Sequence, residues 1–241
     1  MNLVRNISNS RKIQFYVFTA ILFLSGIFLA NIEAVSVANG WITFVFLLLS
    51  LIPVYYGVFQ AVSKKKAIFI IIALSILAWV IEYVGLTTGF PYGNFFYTEL
   101  VGPKMFGVLP VSVAFAWPPL VLGSYFLFSE EGSPIQDIRP IFFLIALDLV
   151  IDPAAVEFGL WGWMEGGMYY NVPLVNYFGW LISASIGIWV IDKLVGKKVK
   201  EKSIWLLFSV FVNLVFWSGF LLASGMFLPF GISLILLYKL Y

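Results

Sequence analysis

Apolar residues fill this chain in blocks of about the length that crosses a lipid bilayer, and polar residues are confined to short breaks between them. A hydrocarbon core of roughly 30 Å takes about 20 helical residues. On that measure the pattern predicts helices over 13–30, 41–61, 67–86, 105–128, 138–152, 173–195, 204–222 and 225–240. Backbone groups in lipid must be satisfied within the segment, so these blocks read as helices. The fold class is an all-α polytopic transmembrane bundle of about eight spans, or seven if the last two blocks form one. Residues 1–241 then make a single integral membrane domain.

Composition supports the pattern: 62% of residues are hydrophobic, 19% aromatic and only 11% charged, outside the range of water-soluble domains. The distribution of basic residues gives the orientation, because cytoplasmic loops carry the excess of Lys and Arg. With the N terminus cytoplasmic, Arg5, Arg11, Lys12, Lys64, Lys65, Lys66, Arg139, Lys193, Lys197, Lys198, Lys200, Lys202 and Lys239 fall on the inner side, and Lys104 alone falls outside. The net charge of +2 reflects those loops and implies no nucleic acid. The first block is too long for a typical signal-peptide core and reads as a retained helix. The expected location is the cell membrane, as a multi-pass protein in contact with lipid.

The chain contains no Cys and no His. Thiolate chemistry, His-rich metal sites and His-activated nucleophiles are therefore excluded. What remains is carboxylate chemistry. A charge in mid-membrane costs at least about 2.5–3.5 kcal/mol, so acids placed there are candidates for function. Three qualify as candidate catalytic residues: Glu82 in the third block, and Asp148 and Asp152 in the fifth. The two aspartates are four apart, on one helical face. No basic residue lies deep enough to pair with them, so mutual repulsion and poor solvation leave at least one protonated at neutral pH. Pro153 is expected to end their helix at Asp152.

Polar stripes on other blocks can face these acids. Ser75, Trp79 and Glu82 share a face, as do Asn176, Trp180, Ser183 and Gly187, and also Ser209 and Asn213. The outer loops GLTTGFPYGNFFYTELVGPK (85–104) and PAAVEFGLWGWMEGGMYYN (153–171) are rich in glycine and aromatic rings. Such loops can fold down as lids over an outer-leaflet pocket. Candidate substrate-binding residues are Trp79, Tyr92, Tyr97, Trp117, Trp161, Trp163, Tyr170, Asn176 and Trp180, with Glu157 and Asn213 as further candidates. The loops also echo each other: Glu82 precedes Gly89 by seven residues, as Asp152 precedes Gly159. A parallel internal repeat of 67–128 and 138–195 would make Glu82 and Asp152 equivalent.

An acid-lined, ring-walled cavity open to lipid suits addition of water to an isoprenoid double bond. A protonated carboxyl supplies the acid, a neighbouring carboxylate activates water, and ring faces stabilise the cation between the two steps. Similar acids serve a proton-coupled transporter or a lipid-binding protein. The DxxxD spacing within DLVID also invites comparison with a prenyltransferase of the UbiA type. That chemistry needs a second acidic motif and basic residues for a diphosphate, which this sequence lacks.

The segments TTGFPYGNFFYTELVGPKMFGVLPV, FAW at 115–117, DLVIDPAAVEFGLWGW and MYYNVPLVNYFGWLIS resemble the hallmark blocks of the carotenoid biosynthesis membrane proteins. That family includes bisanhydrobacterioruberin hydratase and the CruF-type carotenoid 1,2-hydratases. The resemblance implies a hydro-lyase that hydrates the terminal isoprenyl C=C of a long carotenoid or polyprenoid, with no cofactor and no metal. Two positions depart from the expected blocks: Asn171 stands where glycine is expected, and Leu109 lengthens a turn.

Overall fold

The computed structural model describes residues 9–32, 41–129, 137–196 and 203–240. Eight α-helices make up the described bundle: α1 (Asn9–Ala30), α2 (Trp41–Ala61), α3 (Lys64–Thr88), α4 (Val113–Phe128), α5 (Arg139–Phe158), α6 (Leu174–Val195), α7 (Phe208–Ala223) and α8 (Phe227–Leu240). Among the described residues, four segments are long and apolar enough to cross a membrane: Arg11–Ala30, Lys64–Thr88, Leu174–Val195 and Ile204–Ala223. Helices α7 and α8 are separate, with Gly225 in a left-handed conformation between them.

Helices α4 and α7 form the centre and are buried on most of their faces, while α1 is peripheral. Lipid tails are as apolar as the helices, so association here depends on close packing rather than on escape from water. The α1–α7 crossing shows how close that packing is. A Cβ on Gly26 would stand 2.0 Å from the Phe216 carbonyl oxygen, and one on Gly219 would stand 2.0 Å from that of Phe23.

The basic residues gather at one end. Lys66 Nζ donates to the Val195 carbonyl at 3.1 Å, in the last turn of α6, where a cation complements the helix dipole. Arg139 and Lys239 lie 5.3 and 5.8 Å from the Phe128 ring centroid, which brings the ends of α4, α5 and α8 together. Arg139 also hydrogen-bonds Asp137 and so holds that carboxyl below its ordinary range. Arg5 and Lys197, Lys198, Lys200 and Lys202 lie outside the described residues.

The opposite end is closed by short strands. Strand β1 (Phe95–Tyr97) pairs antiparallel with a strand after α5, Trp161–Trp163, in the register Phe95 to Trp163 and Tyr97 to Trp161. The helices that lead into the two strands end alike, on Gly89 and Gly159 in left-handed conformation, which glycine adopts without steric cost. Lys104, the basic residue expected outside, lies at this end in an ion pair with Glu99 at 2.8 Å.

Two sequence expectations are corrected. The fourth helix begins at Val113, not near residue 105, because Lys104–Met105 and Leu109–Pro110 form a small hairpin. Its turn holds Phe106 and Gly107 at positive φ, so an apolar sequence is not helical there. Pro153 does not end α5, which continues to Phe158. A proline removes the N–H that would bond the carbonyl four residues earlier. For Pro153 that carbonyl is Leu149, and it accepts instead from the Tyr169 hydroxyl at 3.1 Å. The same substitution occurs in α4, where Pro118 leaves the Ala114 carbonyl to Ser75 Oγ at 2.9 Å.

Candidate active site

Asp148 and Asp152 lie one turn apart on α5, and both are buried. Each meets the same amide group: Asn176 Nδ2 donates to Asp148 Oδ2 at 2.9 Å and to Asp152 Oδ2 at 2.6 Å. An amide nitrogen carries two hydrogens, so one side chain serves both acids. Asn176 is the third residue of α6, which brings the positive end of that helix dipole to the carboxyls. The two carboxyls are also close enough to interact with each other. Trp161 on the second strand lies beside Asp152, and both line the same cavity.

Glu82 enters from α3. Its Oε1 accepts from the Tyr97 hydroxyl at 2.6 Å, and it is near enough to Asp152 for their charges to interact. The paired strands thus place one residue against each side of the acid group, Tyr97 on Glu82 and Trp161 on Asp152, and these two rings meet edge-on at 5.8 Å. Trp163 fixes the loop above them by donating from Nε1 to the Tyr92 carbonyl at 2.9 Å.

These groups border a cavity of about 490 Å³. Of the residues expected from sequence, Glu82, Asp148, Asp152, Tyr92, Tyr97, Trp117, Trp161, Trp163, Asn176, Trp180 and Asn213 line it. Among the described residues, its lining includes no Lys or Arg. Among the described residues, no group of three His, Cys, Asp or Glu is placed to hold a metal ion.

Three expected residues do not line the cavity. Trp79 lies one turn below Glu82 and packs within the bundle, with its Nε1 buried. Tyr170 packs edge-on against Tyr169 at 5.0 Å, because the turn that carries it places Tyr170 and Asn171 at positive φ. Glu157 is exposed on the last turn of α5.

Sequence reasoning missed one wall, where Ser25, Phe28 and Leu29 of α1, and Ile32 just after it, meet the cavity. Apart from Ser25, that helix carries no polar signal on its inner face. It also missed Tyr169 and Tyr177, whose roles come from contacts between distant segments.

Bisanhydrobacterioruberin hydratase of Haloarcula japonica is 30% identical to this chain over 195 residues. The aligned part is 77% of this chain and 66% of the relative, so the chain spans just under two thirds of that protein's length. No solved structure matches the chain. The family model described as carotenoid biosynthesis protein matches residues 40–240. That match takes in α2 to α8 and every acid of the cavity, and the chain therefore belongs to the carotenoid biosynthesis protein family.

Proposed function

We propose that this protein is a hydratase of carotenoid biosynthesis, resident in the cell membrane, that adds water to the terminal isoprenyl double bond of a long polyene. The observation that carries the reading is the aspartate pair held by Asn176 in a ring-walled apolar cavity. The relative's name supports the same reaction class.

The chemistry balances with these residues alone. The protonated carboxyl of the pair gives its proton to the CH carbon of the terminal (CH₃)₂C=CH group, forming a C–H bond and leaving the charge on the tertiary carbon. Water then attacks that carbon through an oxygen lone pair. The other carboxylate takes the proton that the attacking water releases, so the pair is restored and the net change is one added water. General acid and base groups of this kind contribute about 10²–10⁴-fold each. The faces of Trp161, Trp117 and Tyr97 stabilise the intermediate cation, an interaction that gains strength away from water. A pocket of this volume matches a drug-sized ligand. It takes one end of the polyene, and the rest lies outside it.

Expression in cells that accumulate lycopene or a C50 carotenoid, followed by mass analysis of the pigments, tests the proposal. The expected products are heavier by one water for each modified end. Unchanged pigment across several acyclic polyenes would refute it.

A further inference from the structure

The proposed reaction consumes water, and the cavity is poorly built to supply it. Rings and aliphatic side chains dominate its lining, and a polyene whose end fills the cavity lays its own body across the mouth. Water for the acids therefore needs a separate approach.

Tyr177 marks one. It follows Asn176 in α6 and does not line the cavity, yet it is near enough for Asp148 and Asp152 to act on it electrostatically. Its hydroxyl is buried and meets no hydrogen-bond partner among the described residues. A buried hydroxyl in that condition is unfavourable, and such positions are commonly completed by an ordered water with two to four polar partners. The Tyr177 ring meets Tyr169 edge-on at 5.9 Å. The Tyr169 hydroxyl, in turn, sits on the Leu149 carbonyl, next in sequence to Asp148. Tyr169 adjoins Met168, which is 90% exposed in the outer loop. Tyr169 thus links the outer loop both to the backbone beside Asp148 and to the Tyr177 ring.

We infer that Tyr169 and Tyr177 bracket a water site beside the aspartate pair, supplied from the outer loops, and that Tyr177 is a positioning residue for the water those acids use. The use of that water rests on the hydratase reading; its presence does not. Tyr177 acts through the carboxyls and touches no substrate.

Radiolytic hydroxyl-radical labelling of the full chain in lipid nanodiscs reads ordered water beside a buried ring. Tyr177 is expected to label well above Phe126 and Phe211, core rings that are each 1% exposed; an unlabelled Tyr177 would overturn the inference. In turnover assays on a polyene that the wild-type protein hydrates, Tyr177→Phe is expected to lower kcat about tenfold at unchanged KM. A variant with wild-type kcat would equally overturn it. Wild-type protein that hydrates no polyene would instead refute the reaction, and labelling would still decide the water site.

Discussion

The Tyr97 hydroxyl donates to Glu82 Oε1 at 2.6 Å, so a strand at the outer surface is bonded to a carboxyl on a membrane-crossing helix. Loss of the hydroxyl strands that carboxyl. Tyr97→Phe is expected to cost about 1–3 kcal/mol of stability, the range for a buried polar group left without its partner, and to reduce hydration. Glu82→Gln keeps an oxygen for Tyr97 and separates the two effects: the variant retains its thermal midpoint and loses most of its turnover. Thermal unfolding in detergent and pigment analysis check the pair.

Asp148→Asn and Asp152→Asn preserve shape and remove the proton chemistry. Each is expected to lower product formation by about 10²-fold or more, with the protein still recovered from membranes at wild-type levels. Asn176→Leu has a different signature. It leaves both carboxyls without their shared donor, so stability and turnover fall together. A variant of either aspartate that still makes hydrated pigment at the wild-type rate would remove that residue from the mechanism.

The α1–α7 crossing predicts a sharp contrast between two glycines. In Gly219→Ala the new Cβ meets the Phe23 carbonyl at 2.0 Å, and overpacking of this kind costs about 1–3 kcal/mol. Gly231→Ala in α8 has nothing within 4 Å of the new atom and gains helix propensity, up to about 1 kcal/mol. The first variant is expected to melt earlier than wild type and the second no earlier.

Asn171 has φ 65° in the turn that carries Tyr169, and this accounts for its departure from the expected glycine. Asn is among the few residues other than glycine that adopt this conformation readily. Asn171→Gly is expected to leave stability and activity near wild type. Asn171→Val places a β-branched residue there, at a cost of about 1–3 kcal/mol. Measured thermal midpoints of the two variants decide it.

The helices and the acid face were legible because both rest on local periodicity: apolar blocks give spans, and a spacing of four puts Asp152 one turn above Asp148. The stripe on α6 also pointed to Asn176. What escaped were features fixed by distant partners. Nothing near Pro153 says that Tyr169, sixteen residues later, satisfies the carbonyl it frees, so the helix was expected to stop there. Trp79 shares a stripe with Glu82, but a helix face is wider than a cavity edge, and only the residue nearer the outer end reaches it. The apolar run after Lys104 looked helical because hydrophobicity alone does not record the positive φ of Phe106 and Gly107.

Helix α1 precedes the stretch that matches the family model and joins the bundle chiefly along α7. It nevertheless supplies Ser25, Phe28 and Leu29 to the cavity wall, with Ile32 just after its last turn. The aspartates are held on α5 by Asn176 of α6, so this wall and the aspartate pair belong to different parts of the molecule. If the cavity takes one end of a polyene as proposed, this wall is an end stop, and bulkier or smaller residues at those four positions are expected to change how far the chain is inserted without moving the aspartate pair.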